Sequence, residues 1–323
     1  MTNYRCERAL DSLVLYDRGD VWLCCPDATH SPLGCVLRGD DLLALWRGPR
    51  ARAVREGIAH GTFALCTRCP HLPAPFGPVT ETNSSTVPDA WRIPMLSVSF
   101  DRACNLRCPS CRRGSERPRD DVRTLYDYLL SSTVLDEVDT LRLLGSGEPL
   151  YSRECLDFLC RVPWEKYPRL RIHLQTNGLL LTRERYLALG RSRERISEVS
   201  VSVDAYHRDT YEQNRSLGPT DWHTLLTNLM FAGELKKGGN VERLTLVFVV
   251  QANNFREMVP FATWATGMGA CARFLKLYNW GTYTDEEYRE RAVHLPGHPM
   301  HEAYARESAH QIFRDPRVTK AWR

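Results

Sequence analysis

The chain has 323 residues, of which 43% are hydrophobic and 25% are charged, and its formal net charge is +4. This length suits one large α/β domain with a small appended module, and the mild, dispersed positive charge does not indicate nucleic-acid binding. Without a long apolar stretch or a signal-peptide pattern, we expect no membrane span and a cytoplasmic protein. Disulfides do not persist in a reducing compartment, so the 12 cysteines indicate metal or cluster ligation.

Residues 1–71 are predicted to form a separate cysteine-bearing module. The apolar runs Leu13–Tyr16 and Val21–Cys25 flank a glycine-containing turn, which predicts a β-hairpin, and the spacing from Leu42 to Trp46 predicts an amphipathic helix. Residues 72–92 are rich in proline, serine and threonine, which is typical of a linker.

Four cysteines of this module are candidate ligands of one metal site: Cys6, Cys24, Cys66 and Cys69. Their residue chemistry favours zinc, and a [4Fe–4S] cluster is the alternative. Cys25 lies beside Cys24, and adjacent strand residues point to opposite faces, so the pattern leaves the choice between them open. The distance from Cys6 favours Cys24.

From Ile93 onward, β-like runs alternate with helical runs, which predicts a parallel sheet with right-handed crossovers. The predicted strands are Leu96–Phe100, Thr140–Leu144, Leu170–Gln175, Glu198–Val203, Arg243–Gln251 and Arg273–Tyr278. The predicted helices include Arg183–Leu189 and the run from Trp222 to Leu235. The fold class is therefore α/β, with residues 93–283 forming a partial, TIM-like (βα)₆ barrel whose chemistry lies at the carboxyl ends of the strands. Residues 284–323 are predicted to be a polar helical extension.

Three cysteines, Cys104, Cys108 and Cys111, follow the first predicted barrel strand in a C-x₃-C-x₂-C pattern. Three thiolates on one loop can hold three irons of a four-iron cluster and leave the fourth iron open to a ligand. A structural zinc site is the alternative, but it needs a fourth ligand, for which Cys155 and His173 are the next candidates.

The cysteine loop after a first strand, together with the βα alternation, resembles the radical S-adenosylmethionine (radical SAM) superfamily. The resemblance implies a [4Fe–4S] cluster on these cysteines, with S-adenosylmethionine on its open iron. Ser146, Gly147 and Glu148 look like the superfamily's Gly-Gly-Glu motif, which binds the methionine amino group. Ser110 departs from the pattern, because an aromatic residue often precedes the third cysteine.

The other candidate cofactor-binding residues follow the ends of the later strands. They are Gln175, Asn177, Ser202, Asp204, Arg215, Gln251, Tyr278 and Asn279. In the superfamily, residues like Ser202 and Arg215 lie near the ribose and the carboxylate of the cofactor, and an arginine fork matches two carboxylate oxygens. Asp204 is equally a candidate for contact with the substrate or for capping a helix.

In this context the N-terminal cysteine module resembles the SPASM domain or its shorter "twitch" form, which carries auxiliary [4Fe–4S] clusters. Here the module precedes the barrel and lacks the full set of seven cysteines, so we predict one auxiliary cluster. The expected cofactors are thus S-adenosylmethionine and two [4Fe–4S] clusters, with a flavodoxin- or ferredoxin-type reductant.

The resemblance implies a 5′-deoxyadenosyl radical that abstracts hydrogen from a C–H bond, with epimerisation or dehydrogenation as the outcome. We expect a carbohydrate-like or aminocyclitol-type small molecule from antibiotic or surface-glycan biosynthesis, oxidised or inverted at a carbinol carbon. Cys25 and Cys35 are the candidate hydrogen donors for an epimerase. Modification of a ribosomal peptide is an alternative, although no room for a leader-binding domain precedes Cys6. A zinc-binding or electron-carrier protein without catalysis is the alternative from another class.

Overall fold

The computed structural model describes residues 11–24, 31–59, 66, 92–111, 119–143, 147–215, 218 and 221–321. The chain divides into two compact units. Unit 1 comprises Met1–Arg102, Arg117–Gly147 and Asp157–Ile172, and unit 2 comprises Ala103–Glu116, Glu148–Leu156 and His173–Arg323.

The described residues contain ten strands. They are β1 (Ser12–Leu15), β2 (Asp20–Leu23), β3 (Gly34–Cys35), β4 (Ile93–Val98), β5 (Val138–Leu143), β6 (Arg171–Thr176), β7 (Ile196–Ser202), β8 (Arg243–Val250), β9 (Cys271–Lys276) and β10 (Val318–Lys320).

The same residues contain ten α-helices. They are α1 (Leu42–Arg47), α2 (Pro49–Ala59), α3 (Arg119–Ser131), α4 (Arg153–Arg161), α5 (Arg183–Ala188), α6 (Arg208–Arg215), α7 (Asp221–Lys237), α8 (Met258–Gly267), α9 (Asp285–Arg291) and α10 (His301–Ser308). None of the helices in the described part of the chain is long and apolar enough to cross a membrane.

In unit 1 the strand order is β3-β2-β1-β4-β5. β1 and β2 form the predicted antiparallel hairpin, and β1 also pairs with β4 in parallel, as β4 does with β5. The alternation of apolar residues explains the hairpin, because Leu13 and Leu15 of β1 are buried with Leu23 of β2. The cysteine module therefore extends the sheet of unit 1 through backbone hydrogen bonds.

The predicted helix at Leu42 is confirmed as α1, which begins at an N-cap. The side chain of Asp41 accepts a hydrogen bond from the backbone N–H of Ala44, and Trp46 is fully buried. The guanidinium of Arg55 lies 3.7 Å from the centroid of the Trp46 ring and donates to its carbonyl. These contacts anchor the helical pair α1 and α2.

In unit 2 the strand order is β6-β7-β8-β9-β10, and the β7–β8, β8–β9 and β9–β10 pairs are parallel. Phe248 of β8 and Phe274 of β9 pack against Phe261 of α8, which fixes that helix on one face of the sheet. The parallel strands and intervening helices confirm the predicted α/β fold class.

Two expectations need correction. Residues 284–323 were expected to be helical, which α9 and α10 confirm in part, but β10 pairs in parallel with β9; three residues are too few to show a periodicity. The strand predicted at Arg273–Tyr278 begins two residues earlier, because β9 starts at Cys271. Of the predicted linker 72–92, only Arg92 lies within the described residues.

Candidate active site

The loop that carries Cys104, Cys108 and Cys111 belongs to unit 2. Cys104 and Cys108 are half-buried and Cys111 is exposed; the backbone N–H of Leu106 donates to Sγ of Cys104 at 3.4 Å. The pKa of Cys104 is raised to about 11, chiefly by burial and to a smaller extent by the carboxylate of Glu148 and the other two thiols, while the N–H of Leu106 opposes the shift. A thiol with a raised pKa stays protonated, and it becomes a metal ligand only when a nearby cation stabilises its thiolate form. A bound iron ion supplies that positive charge.

Within the described ranges, no three side chains of His, Cys, Asp or Glu converge closely enough to hold a single metal ion. A cubane cluster, in contrast, spreads its thiolates over different irons. Three soft thiolates from one loop fit such a cluster better than they fit a closed tetrahedral zinc site.

Glu148 is the carboxylate at the centre of the site. It is 2% exposed and accepts hydrogen bonds from Thr176 Oγ1 at 2.7 Å, from the backbone N–H of Asn177 at 2.6 Å and from that of Leu150 at 3.1 Å. Burial raises its pKa, and the three donors oppose that shift. A carboxylate offers about four lone-pair positions, so one remains for a ligand ammonium group.

Two contacts tie Glu148 and the end of β6 to the cysteine loop. The backbone N–H of Glu148 donates to the carbonyl of Ala103 at 2.7 Å, and Nδ2 of Asn177 donates to Oδ1 of Asn105 at 2.8 Å. The same Nδ2 lies 4.0 Å from Sγ of Cys104. The structure thus brings the predicted residues Glu148, Asn177 and Cys104 together.

Asp204 and Arg215 form a buried ion pair beside Cys108. Oδ2 of Asp204 lies 2.8 Å from Nη2 of Arg215, and Nη1 of Arg215 lies 3.7 Å from Sγ of Cys108. Burial raises the pKa of Asp204 and also the pKa of Cys108. The guanidinium of Arg215 opposes both shifts, because it stabilises the negative forms of the two groups. The predicted residue Arg215 therefore contacts a cluster-loop cysteine, and the predicted residue Asp204 binds Arg215.

The backbone around Asp204 is held by residues whose roles the sequence did not reveal. Asp204 has a φ of 61°, and Nδ2 atoms of Asn214 and Asn254 donate to its carbonyl at 3.0 and 2.9 Å. Asn254 is fully buried, and it also donates to the carbonyl of Val249 and accepts the backbone N–H of Gln251.

Glu257 positions the helix that ends at Arg215. Its carboxylate accepts the backbone N–H groups of Tyr206 and His207 and the hydroxyl of Thr210, all at the start of α6. Negative charge at a helix N-terminus is favourable because of the helix dipole. Nothing local in the sequence indicates this, since Glu257 follows β8 and the helix follows β7.

The sheet of unit 2 has one apolar and one polar face. The side chain of Phe248 in β8 packs against Phe261 of α8. Because successive strand residues face opposite sides of a sheet, Thr245 of β8 lies on the face away from α8, and its register partner Ser200 of β7 lies on that face too. The polar face carries His173, Gln175, Glu198, Ser200, Ser202, Thr245 and Arg273. Parallel sheets are usually apolar on both faces, so the number of polar side chains on this face is unusual.

The remaining predicted residues of the site lie as follows. Gln251 is buried, and the ring of Tyr278 contacts Trp280 with centroids 4.5 Å apart. The side chain of Asn279 is engaged within its own loop, where it bonds the backbone of residues 281–283. Gly147 is half-buried, whereas Ser146 lies outside the described residues. Their assignment to the cofactor stays a prediction.

Of the auxiliary cysteines, Cys24 and Cys66 are described and both are buried. Cys24 has a φ of 67° at the end of the hairpin. Cys6, Cys25 and Cys69 lie outside the described residues. Cys35, a predicted hydrogen donor, is 3% exposed and its thiol donates to the carbonyl of Arg18 at 3.2 Å.

A comparison with known protein families supports the interpretation of the cysteine loop as a cluster-binding loop. The profile of the Radical SAM superfamily matches residues 98–259, half of the chain. The chain belongs to the radical SAM superfamily. A second profile, that of SPASM, an iron–sulfur cluster-binding domain, matches residues 6–70 of this radical SAM protein. Its cofactors are therefore S-adenosylmethionine, a [4Fe–4S] cluster and an auxiliary iron–sulfur cluster, as predicted.

Among curated relatives, the radical SAM chain is similar to proteins named GTP 3′,8-cyclase. It is 27% identical to that of Aliarcobacter butzleri over 38% of each chain, and 26% identical to that of Synechococcus sp. strain CC9902 over 63% of this chain and 61% of the relative. The chain thus spans less than two thirds of the length of these relatives.

A solved structure shares the fold. The crystal structure of Streptococcus suis SuiB bound to S-adenosylmethionine aligns with 72% of this chain and 51% of its own, with a TM-score of 0.50 and 12% sequence identity. At this identity the likeness concerns the fold alone.

Proposed function

We propose that this radical SAM protein abstracts a hydrogen atom from a carbinol carbon of a sugar ring in a small-molecule substrate. The observation that carries the proposal is the polar face of unit 2, on which Gln175 and Ser202 lie near the carboxyl ends of β6 and β7. Hydroxyl, amide and guanidinium groups there can hydrogen-bond a polyhydroxylated ring from several sides.

When bound, the cluster and S-adenosylmethionine supply a carbon-centred radical able to break an unactivated C–H bond. The residues of this chain bind the cluster and S-adenosylmethionine and orient them. Cys104, Cys108 and Cys111 hold the cluster, and Glu148 accepts the methionine ammonium group at its free lone pair. Asn177 connects that carboxylate to the cysteine loop, so the cofactor is held in one orientation.

The names of the relatives support a sugar carbon as the site of attack. GTP 3′,8-cyclase names a reaction at the 3′ position of GTP, which is a carbinol carbon of ribose. Free sugars and aminocyclitols form the first candidate class, and a nucleotide such as GTP is the second.

The test begins with anaerobic reconstitution, followed by reduction with S-adenosylmethionine and each candidate substrate. We expect 5′-deoxyadenosine to form with one substrate class and to acquire deuterium from a substrate deuterated at the carbinol carbon. Cys108→Ala should abolish the product, whereas Cys160→Ala, an exposed cysteine of α4, should not change it. No deuterium transfer from any sugar, aminocyclitol or GTP would refute the proposal.

The product then distinguishes the two predicted outcomes. An inverted carbinol carrying solvent hydrogen identifies an epimerase, and a ketone identifies a dehydrogenase. Cys25→Ala and Cys35→Ala should block only epimerisation, since only that outcome needs a hydrogen donor.

A further inference from the structure

The guanidinium of Arg215 is shared between a carboxylate and a thiol. Nη2 lies 2.8 Å from Oδ2 of Asp204, and Nη1 lies 3.7 Å from Sγ of Cys108. The thiol of Cys108 in turn lies 3.8 Å from the carbonyl of Arg215. Arg215 therefore contacts Cys108 through both its side chain and its backbone.

Further hydrogen bonds hold the Asp204 end of the ion pair. The second oxygen of Asp204, Oδ1, accepts the backbone N–H of Val249 at 2.7 Å, while Asn214 and Asn254 hold the carbonyl of Asp204. The side chains of Asp204 and Arg215 are 4% and 12% exposed. A buried pair costs desolvation energy, so such a structure indicates a role other than stability alone.

The contacts of Arg215 leave part of its guanidinium for other partners. Nη2 contacts Asp204 and Nη1 contacts Cys108, and Nε is buried without a partner in the described part of the chain. A guanidinium carries five N–H groups, so these two contacts do not use all of its donors. Contact of Arg215 with the carboxylate of S-adenosylmethionine stays a prediction.

We propose that Arg215, held by Asp204, is a positioning residue that places positive charge against the cluster ligand Cys108 and so eases reduction of the cluster. The inference rests on the proposed assignment of Cys104, Cys108 and Cys111 as ligands. Reduction adds negative charge to a cluster, and hydrogen bonds and cations near its sulfurs stabilise that charge. Arg215 therefore raises the reduction potential.

The experiment is an EPR-monitored redox titration of the reconstituted protein without substrate. The signal that disappears in Cys108→Ala belongs to this cluster, and the auxiliary cluster in the same sample is the internal control. In Arg215→Met we expect the ratio of reduced to oxidised cluster at a fixed potential to fall about tenfold, a shift of about 59 mV for a one-electron couple. Arg215→Lys, which keeps the charge, should recover most of the shift.

Arg208→Met is the matched control, because Arg208 lies on the same helix but is exposed and paired with Glu212. It should leave both potentials unchanged. Should Arg215→Met fold poorly with Asp204 unpaired, Asp204→Asn combined with Arg215→Met removes both charges. This double variant should still have a lower potential, since Arg215 contacts the sulfur directly and Asp204 does not.

An unchanged potential in the folded Arg215 variants, together with weaker S-adenosylmethionine binding, would overturn the inference and make Arg215 a cofactor clamp. If instead every EPR signal of the wild-type protein persisted in Cys108→Ala, the assignment of Cys108 as a cluster ligand would be refuted. The two failures are therefore distinguishable.

Discussion

The carboxylate of Glu148 accepts the backbone N–H of Asn177 at 2.6 Å, although the two lie 29 positions apart in the chain. The backbone N–H of Glu148 donates in the opposite direction, to Ala103 of the cysteine loop. One residue thus connects the end of β6 to the loop that carries the proposed cluster ligands. Any cofactor bound by Glu148 is held relative to both.

Replacing Glu148 by Gln should destabilise the protein even without cofactors. The amide keeps the size of the side chain but turns an acceptor into a donor, which leaves one of the buried donors from Thr176, Asn177 or Leu150 unsatisfied. We expect a loss of about 1–3 kcal/mol in the free energy of unfolding, measured by urea denaturation. Glu234→Gln, at an exposed ion pair, is the control and should change little. Equal stability of Glu148→Gln and wild type would contradict the hydrogen-bond network described.

Asn254 and Asn253 are neighbours, but their replacement should cost the protein very different amounts of stability. Asn254→Ala removes three buried hydrogen bonds to the backbone of Asp204, Val249 and Gln251, so we expect a loss of at least about 2 kcal/mol. Asn253 is exposed and Asn253→Ala should cost much less. Thermal unfolding of the two variants, compared side by side, checks this difference; similar losses would mean that Asn254 does not hold the strand ends.

The auxiliary cluster can be tested by its iron content. Cys66→Ala should reduce the iron and sulfide of the reconstituted protein from two clusters to one, because Cys66 is a predicted ligand of the SPASM domain. Cys35→Ala is the matched control, since Cys35 is buried in the same module but donates to a carbonyl. Comparing Cys24→Ala with Cys25→Ala decides which of these adjacent residues is the ligand. Full iron retention in Cys66→Ala would remove it from the ligand set.

His294 should make stability depend on pH. Burial, with smaller contributions from Lys276, His301 and His298, lowers its pKa from 6.5 to about 4. Between these values the unfolded chain binds a proton that the folded protein does not, so the free energy of unfolding rises with pH and levels off above about 6.5. His294→Phe should flatten the curve in this window, and His223→Asn, at an exposed site, should not. Urea titrations across this pH range measure the slope; an unchanged slope in His294→Phe would exclude His294 as its source.

The sequence predicted the parts of this protein that local patterns determine. Alternating apolar residues predicted the hairpin and the parallel strands, and the spacing of Cys104, Cys108 and Cys111 predicted the loop. It could not show that Arg215 contacts Cys108, since 107 residues separate the two and only the tertiary fold brings them together. Glu257 is a similar case, because its partners begin a helix from a different part of the chain.

The boundaries of elements were less predictable than their existence. β4 begins at Ile93, three residues before the predicted strand, and β10 was missed because so short a strand carries no recognisable pattern. The two faces of the β6–β9 sheet also needed the structure, since the chain alone does not reveal which neighbour each residue opposes.

The parallel pairing of β1 with β4 has a consequence for anyone who truncates this protein. Leu13 lies opposite Leu96, and Leu15 lies opposite Val98, so β1 covers one side of an apolar strand. A fragment that began at Ile93 would expose the N–H and C=O groups along that side of β4, and an uncovered apolar edge of this kind recruits other chains. Such a fragment should aggregate, even though it retains all three cysteines of the cluster loop.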